Sequence, residues 1–167
     1  MIFTMNNLVQ LLFEKSENNL LPPPNDEELA NEMRSLIPSY RPGHYSLREY
    51  VSSLPLGVGG FTYTTYPSTD ITIVYDKHYL QDEKLREYVV THERLHALQL
   101  SDKWLRLLFS LVAVYDDGKK KLIIDFGRLY MEGMVESLLE KQGIKRFPPH
   151  VYELAKNMFE ELQTVYP

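Results

Sequence analysis

The sequence contains no cysteine, which removes disulfides and thiolate metal ligands from consideration. Any metal would have to be bound by histidine, aspartate or glutamate side chains. A surplus of basic residues is also lacking, since the 167 residues carry a net charge of -5. Nucleic-acid binding requires a basic surface, so this composition argues against a nucleic-acid partner.

Long hydrophobic runs are missing as well. The longest, LLFSLVAVY at residues 107–115, is too short to cross a bilayer. The N-terminal MIFTMNNLVQLLF has no basic residue before its apolar stretch and no small-residue cleavage pattern, unlike a secretory signal. We therefore expect a cytoplasmic protein with no membrane partner, and the sequence does not define its oligomeric state.

The amount of hydrophobic sequence indicates one globular domain over residues 1–167. Hydrophobic residues make up 44% of the chain and charged residues 25%, which is enough to form a core. Apolar periodicity and capping residues predict the helices. They are expected at residues 4–15, 26 to about 38, 46–53, 83–100, from 103 to about 111, 127–142, and from Pro148 onwards. Residues 1–45 could form an N-terminal helical extension or a prosegment.

Two segments rich in β-branched and aromatic residues predict strands. They are FTYTTY at 61–66 and ITIVYD at 71–76, and the turn-forming PSTD between them favours a hairpin. KLIIDF at 121–126 is expected to be a further short strand. The glycines of LPLGVGG precede a strand and not a helix, so they do not predict a phosphate-binding loop. The combination of a small sheet with several helices predicts an α+β fold.

The segment VVTHERLHALQ at residues 89–99 carries the clearest chemical signal. His92 and His96 are four residues apart, so on a helix they project from one face and can reach one ion. Their neighbours are mostly apolar, and burial of this polar group would be costly unless a metal satisfied it. Glu93 completes an H-E-x-x-H motif, in which the histidines bind zinc and the glutamate acts as general base.

A catalytic zinc site needs a third protein ligand and an open position. Position 99 is Gln and position 102 is Asp, so no third histidine follows in the spacing of the metzincins. Glu132, on a predicted helix, and Asp125 are the acidic candidates. The isolated histidines, His44 and His78, fall in predicted loops and are expected at the surface.

The HERLH motif, followed by YMEGMVESLLE, resembles the gluzincin metallopeptidases over about residues 81–142. The resemblance implies His92, His96 and Glu132 as zinc ligands and Glu93 as the catalytic glutamate. It also implies that Glu136 hydrogen-bonds a ligating histidine. The size of the chain is similar to that of the compact archaeal minigluzincins, some of which are latent because a terminal segment blocks the cleft. The fold implied is zincin-like, with a small mixed sheet over the active-site helix and a helical lower half.

These features predict a zinc-dependent peptidase whose peptide or protein substrate lies as an extended strand along FTYTTY. The C-terminal subdomain of the larger gluzincins is missing, and with it a certain donor to the carbonyl oxygen under attack. Tyr130, His150 and Tyr152 are candidates for that donor. The alternative is a catalytically inactive or latent zincin-like protein with a binding or regulatory role.

Overall fold

A computed structural model describes residues 26–65, 68–107, 118–144 and 152–165, with the backbone alone for residues 118–126. The elements are α1 (Asp26–Leu36), β1 (Ser46–Ser52), β2 (Gly60–Thr64), β3 (Asp70–Asp76), a 3₁₀ turn (Tyr79–Gln81), α2 (Glu83–Ser101), α3 (Gly118–Lys141) and α4 (Glu153–Val165). Mixed helices and strands confirm the predicted α+β class. Across the described ranges, no helix is both long and apolar enough to cross a membrane. The helix predicted at 4–15 lies outside these ranges.

The three described strands form one small mixed sheet in the order β1-β3-β2. β2 and β3 are antiparallel, with Thr62 opposite Ile73, so the predicted hairpin is confirmed. β1 lies parallel to β3 on the other side, with Glu49 opposite Ile73. Within the described chain, β3 is therefore the central strand, and β2 is an edge.

The helix predicted at residues 46–53 is wrong, because this segment is strand β1. The start of the strand is held by Asp70 of β3, which accepts hydrogen bonds from the hydroxyl of Ser46 and, at 3.3 Å, from Arg48. In the middle, the Tyr75 hydroxyl donates to Glu49 Oε1 at 2.7 Å. These partners lie more than twenty residues away, and such tertiary pairing overrides a local helical pattern.

The short strand predicted at residues 121–126 is also wrong, because these residues belong to α3. A short apolar run fits a buried strand as well as a buried helix, and periodicity alone does not separate the two. The helix predicted at 127–142 is its second half. The helix ends at Lys141, one residue before the predicted end, and Gly143 follows with a φ of 75°, a left-handed conformation that glycine adopts readily.

Two aspartates start helices near the motif, as the sequence predicts. The side chain of Asp82 accepts from the backbone amides of Lys84 and Leu85 and caps α2. Asp102 does the same for a helical segment at 103–107, by accepting from Trp104 N at 2.8 Å and Leu105 N at 3.0 Å. The rest of that predicted helix lies outside the described residues.

Helix α2 is the central layer of the domain. From Tyr88 to Leu100 every residue except Thr91 is buried, because α2 packs against the sheet on one side and α3 on the other. The core is formed by apolar side chains of these layers, including Ile71, Ile73, Leu95, Leu98, Met134 and Leu138. The H-E-x-x-H segment is consequently placed inside the protein.

Candidate metal centre

Three side chains from two helices converge beside the sheet. His92 and His96 extend from α2, and Glu132 extends from α3. His92 Nε2 lies 3.1 Å from His96 Nε2, and Glu132 Oε2 lies 3.3 Å from each of these nitrogens. The structure thus brings together the three ligands implied by the resemblance, with one donor atom from each at the corners of a small triangle.

The size of this triangle can be compared with the geometry of zinc. Ligand atoms at about 2.0 to 2.1 Å from a tetrahedral zinc ion are separated from one another by roughly 3.3 to 3.4 Å. The observed separations of 3.1 to 3.3 Å correspond closely to one face of that tetrahedron. The spacing of the three donor atoms therefore fits three ligands of a tetrahedral zinc ion, and among the described residues no fourth donor joins the cluster.

The glycine after Glu132 explains the approach of the last helix. A Cβ at Gly133 would overlap the carbonyl of Ala155 and lie 2.7 Å from Phe159 Cβ. Only glycine allows α4 to cross α3 so closely. The Glu-Gly pair therefore combines a candidate ligand with a packing site for the segment that carries Tyr152.

Each histidine is held from its outer side by a different group. Glu136 Oε1 lies 3.2 Å from His92 Nδ1, a close contact of charge rather than a well-aligned hydrogen bond. The same carboxylate oxygen accepts from the Tyr88 hydroxyl at 2.7 Å, and Glu136 is 2% exposed. The structure thus places Glu136 beside a candidate ligand, at the position that the resemblance implies.

The outer side of His96 contacts Gln99. His96 Nδ1 and Gln99 Oε1 are 2.8 Å apart, and the Gln99 amide nitrogen donates to the Met131 carbonyl at 2.9 Å. From the sequence, position 99 stands out only as a place where a third histidine ligand is missing. The signal that could have found it is its spacing, since a residue three positions after a helical histidine lies on the same face.

Burial and neighbouring charges act against each other in the triad. Burial disfavours the charged form of His92, but its contacts with the carboxylates of Glu132 and Glu136 and the charge of Glu93 outweigh burial and raise the pKa of His92 to about 10. Burial likewise disfavours the Glu132 carboxylate, yet the two histidines hold its pKa well below the usual range. Without a metal, the triad therefore retains a proton on His92 at neutral pH, where a metal ion would place its own charge.

Glu93 follows His92 on α2, its charge acts on His92, and its carboxylate contacts the edge strand. Its carboxylate Oε2 accepts from the Thr62 hydroxyl at 2.7 Å, and the residue is 6% exposed. A Cβ at Gly60 would lie 2.8 Å from Glu93 Cγ, so a side chain there would displace the carboxylate. The sequence does not predict that Thr62 and Gly60 contact Glu93, because strand pairing alone does not fix which helical residue they face.

The hydrogen-bonding pattern of β2 determines which backbone groups face outward. Asp76 N donates to Gly59 O at 2.8 Å, so residues 59, 61 and 63 point their backbone groups toward β3. In an antiparallel pair the alternate residues point away. The backbone groups of Gly60, Thr62 and Thr64 therefore face the outer edge, while the Thr62 side chain faces Glu93.

Tyr152 is the donor candidate that lies beside the triad. Its ring stacks on that of His92 with centroids 5.9 Å apart, and its φ of 63° is unusual for a residue with a side chain. Burial, followed by the charge of Glu132, raises the pKa of Tyr152, whereas Arg128 acts in the opposite direction. Its hydroxyl is consequently protonated at neutral pH and able to donate.

The remaining candidates are placed elsewhere or outside the description. The Tyr130 ring packs edge-on against Phe159, with centroids 5.2 Å apart, in a structural contact between α3 and α4. His150 and the side chain of Asp125 lie outside the described residues. The two isolated histidines, His44 and His78, are exposed as predicted.

Comparison of the chain with protein-family models, with curated proteins and with solved structures gives no match. The interpretation of this centre therefore rests on its residues and their geometry.

Proposed function

We propose that the protein is a zinc-dependent peptidase of the gluzincin type with a zincin-like fold. One observation carries the proposal: a triangle of two imidazole nitrogens and one carboxylate oxygen, 3.1 to 3.3 Å apart, with a second carboxylate beside it. A structural zinc site uses four protein ligands, whereas a catalytic one uses three and leaves a position for water or substrate. Among the described residues, the cluster supplies three.

The residues take distinct roles in this proposal. His92, His96 and Glu132 would hold the ion. A bound zinc ion would supply Lewis-acid chemistry, by lowering the pKa of a water molecule and polarising the substrate carbonyl. Glu93 accepts the proton that the attacking water loses and delivers it to the nitrogen of the leaving amine.

The substrate is a peptide in an extended conformation along β2. The outward backbone groups of Gly60, Thr62 and Thr64 can pair with such a peptide, as in other cases of strand addition. The Thr62 side chain contacts Glu93, so a peptide on this edge passes next to the general base. Tyr152, on the His92 side of the triad, would donate to the carbonyl oxygen.

The proposed setting follows from the composition. The net charge of -5 favours a peptide or protein substrate over a nucleic acid. We place the protein in the cytoplasm, without a membrane partner.

Metal analysis and a cleavage assay test this function together. Protein purified without added metal should contain close to one zinc per chain and should cleave members of a mixed peptide library. A chelator should abolish cleavage, and zinc should restore it. A zinc-loaded Glu93→Gln variant that cleaves peptides as fast as the wild type would refute the peptidase mechanism.

The alternative is a latent or catalytically inactive zincin-like protein. Tyr152 lies at the start of α4, and its ring stacks on that of His92. This position favours the alternative. In that case zinc would bind, but no peptide in the library would be cleaved. A Tyr152→Ala variant that gained cleavage would identify latency, and one that remained inactive would indicate a binding role.

A further inference from the structure

The side chain of Gln99 connects the two helices that carry the metal ligands. It is 0% exposed and lies between His96 on α2 and the Met131 carbonyl on α3. Met131 directly precedes Glu132. One amide thus contacts a candidate ligand on one helix and the backbone beside another candidate ligand on the next.

The proton positions in this contact follow from which atoms can donate. A backbone carbonyl oxygen only accepts, so the NH₂ end of the Gln99 amide faces Met131, and Oε1 faces His96. Oε1 also only accepts, so His96 Nδ1 must carry the proton. In a neutral imidazole this leaves Nε2, the atom directed at the triad, with its lone pair free.

We propose that Gln99 is a positioning residue of the metal centre, with two actions. It holds His96 as the Nδ1–H tautomer, which leaves Nε2 ready to bind the ion. It also ties α3 to α2 next to Glu132, which keeps the third ligand in reach of the two histidines. The inference rests on the proposed zinc site and extends it to a residue that binds no metal itself.

The charge of the surroundings explains why an amide suits this position. The carboxylate of Glu132 already belongs to the triad, and those of Glu93 and Glu136 act on His92 beside it. A fourth carboxylate at position 99 could accept from His96, but it would add charge to a buried cluster and oppose the Met131 carbonyl oxygen. A neutral amide orients the imidazole without either cost.

Two substitutions separate the actions of Gln99. Gln99→Met keeps a similar length and removes the hydrogen bonds to His96 and to the Met131 carbonyl, so the His96 proton should redistribute toward Nε2 and zinc should bind about 10 to 100-fold more weakly. Gln99→Glu keeps an acceptor for His96 but loses the donor to Met131. It should preserve the His96 tautomer and still weaken zinc binding. Leu98→Met, at a buried apolar neighbour, is the control and should change neither quantity.

The tautomer is measured by long-range ¹H–¹⁵N correlation spectra of the imidazole nitrogens in the metal-free protein. The zinc dissociation constant is measured by competition with a chromophoric chelator. A general loss of packing would change backbone amide signals throughout α2 and α3, whereas the inference expects the changes in Gln99→Met to be confined to the triad and to the residues around positions 99 and 131. This contrast distinguishes positioning from a structural role.

The inference fails if wild-type His96 is the Nε2–H tautomer, a result that depends on no variant. It also fails if Gln99→Met keeps the wild-type tautomer and zinc affinity within about twofold. Should Gln99→Met not fold, the inference is tested by the His96 tautomer in the wild-type protein and by the tautomer and zinc affinity of Gln99→Glu. A wild-type protein that binds no zinc would refute the metal centre, and the spectrum would still judge the contact between Gln99 and His96.

Discussion

The Thr62 hydroxyl donates to Glu93 Oε2 at 2.7 Å and thereby joins the edge strand to the motif helix. The same hydroxyl lies 3.0 Å from the Glu93 backbone carbonyl. A hydroxyl has one proton, and the shorter contact to a charged acceptor is the stronger hydrogen bond. Thr62 thus fixes the carboxylate that we propose as general base, at the strand that we propose as the substrate site.

Removal of this hydroxyl should slow turnover without affecting the metal. Thr62→Val keeps the shape of the side chain but leaves Glu93 with one fewer partner, so we expect kcat to fall by roughly 10 to 100-fold. Zinc stoichiometry should stay at the wild-type value. The matched control is Thr64→Val in the same strand as Thr62. It loses a hydroxyl that donates to the Asp70 backbone carbonyl at 2.8 Å. Equal losses in the two variants would assign the effect to the strand and not to Glu93.

The two glutamates next to the histidines should separate metal binding from proton transfer. Glu132→Ala removes one of three ligands, so zinc binding and activity should both be lost. Glu93→Gln retains the shape and removes the proton acceptor, so zinc should remain while turnover falls by roughly 10² to 10⁴. Metal analysis beside peptide kinetics checks both expectations.

Asp125 provides the control for the identity of the third ligand. Asp125→Ala should keep its zinc, because Glu132 Oε2 lies 3.3 Å from each histidine nitrogen. A Glu132→Ala protein with a full zinc equivalent, alongside an Asp125→Ala protein without one, would make Asp125 the ligand and the gluzincin assignment wrong.

Glu136 should have an intermediate effect. Its carboxylate contacts His92 Nδ1 at 3.2 Å on the side remote from the triad, so Glu136→Ala removes a support and no ligand. We expect zinc affinity or activity to decrease by about 10 to 100-fold. Titration with a competing chelator measures the affinity. Tyr88→Phe removes only the hydroxyl that bonds Glu136 and should have a smaller effect in the same direction.

A proline in β2 should weaken substrate binding more than metal binding. The Thr64 backbone N–H faces away from β3, so Thr64→Pro removes a donor at the outer edge and leaves the β2–β3 hydrogen bonds in place. KM should rise and peptide turnover should fall, with zinc content unchanged. Thr64→Ala keeps the N–H and is the control for the lost hydroxyl. Loss of metal together with activity in the proline variant would mean that the strand supports the fold.

Zinc affinity should depend on pH across the neutral range. The Glu132 and Glu136 carboxylates outweigh burial and raise the pKa of metal-free His92 to about 10, so zinc must expel a proton in order to bind. Because protons compete more strongly at low pH, apparent affinity should rise by about tenfold per pH unit from pH 6 to 8. Occupancy should be lost below about pH 5 to 6, because competition from protons becomes strongest at the acidic end of the range. Calorimetry in buffers of different ionisation enthalpy measures the proton release, and full zinc stoichiometry at pH 4 would argue against both histidine ligands.

The sequence alone determined the features that depend on local spacing. Histidines four residues apart within a mostly apolar segment define one face of a helix, and α2 places them one turn apart as predicted. Strands β2 and β3 followed in the same way from their β-branched residues and the turn between them. These predictions succeeded because helix period, strand composition and turn residues act over a few neighbours.

Tertiary structure decided the features that join distant segments. Residues 46–52 became a strand because β3 offers a parallel partner, and their own pattern gave no sign of it. Glu132 was an expectation drawn from the family resemblance, but its distance to the histidines depends on how α3 packs on α2. Gln99 and Thr62 acquire their contacts with His96 and Glu93 only when helix and strand are assembled. Local periodicity fixes which face of an element is apolar, whereas the packing of one face on another fixes which polar groups meet.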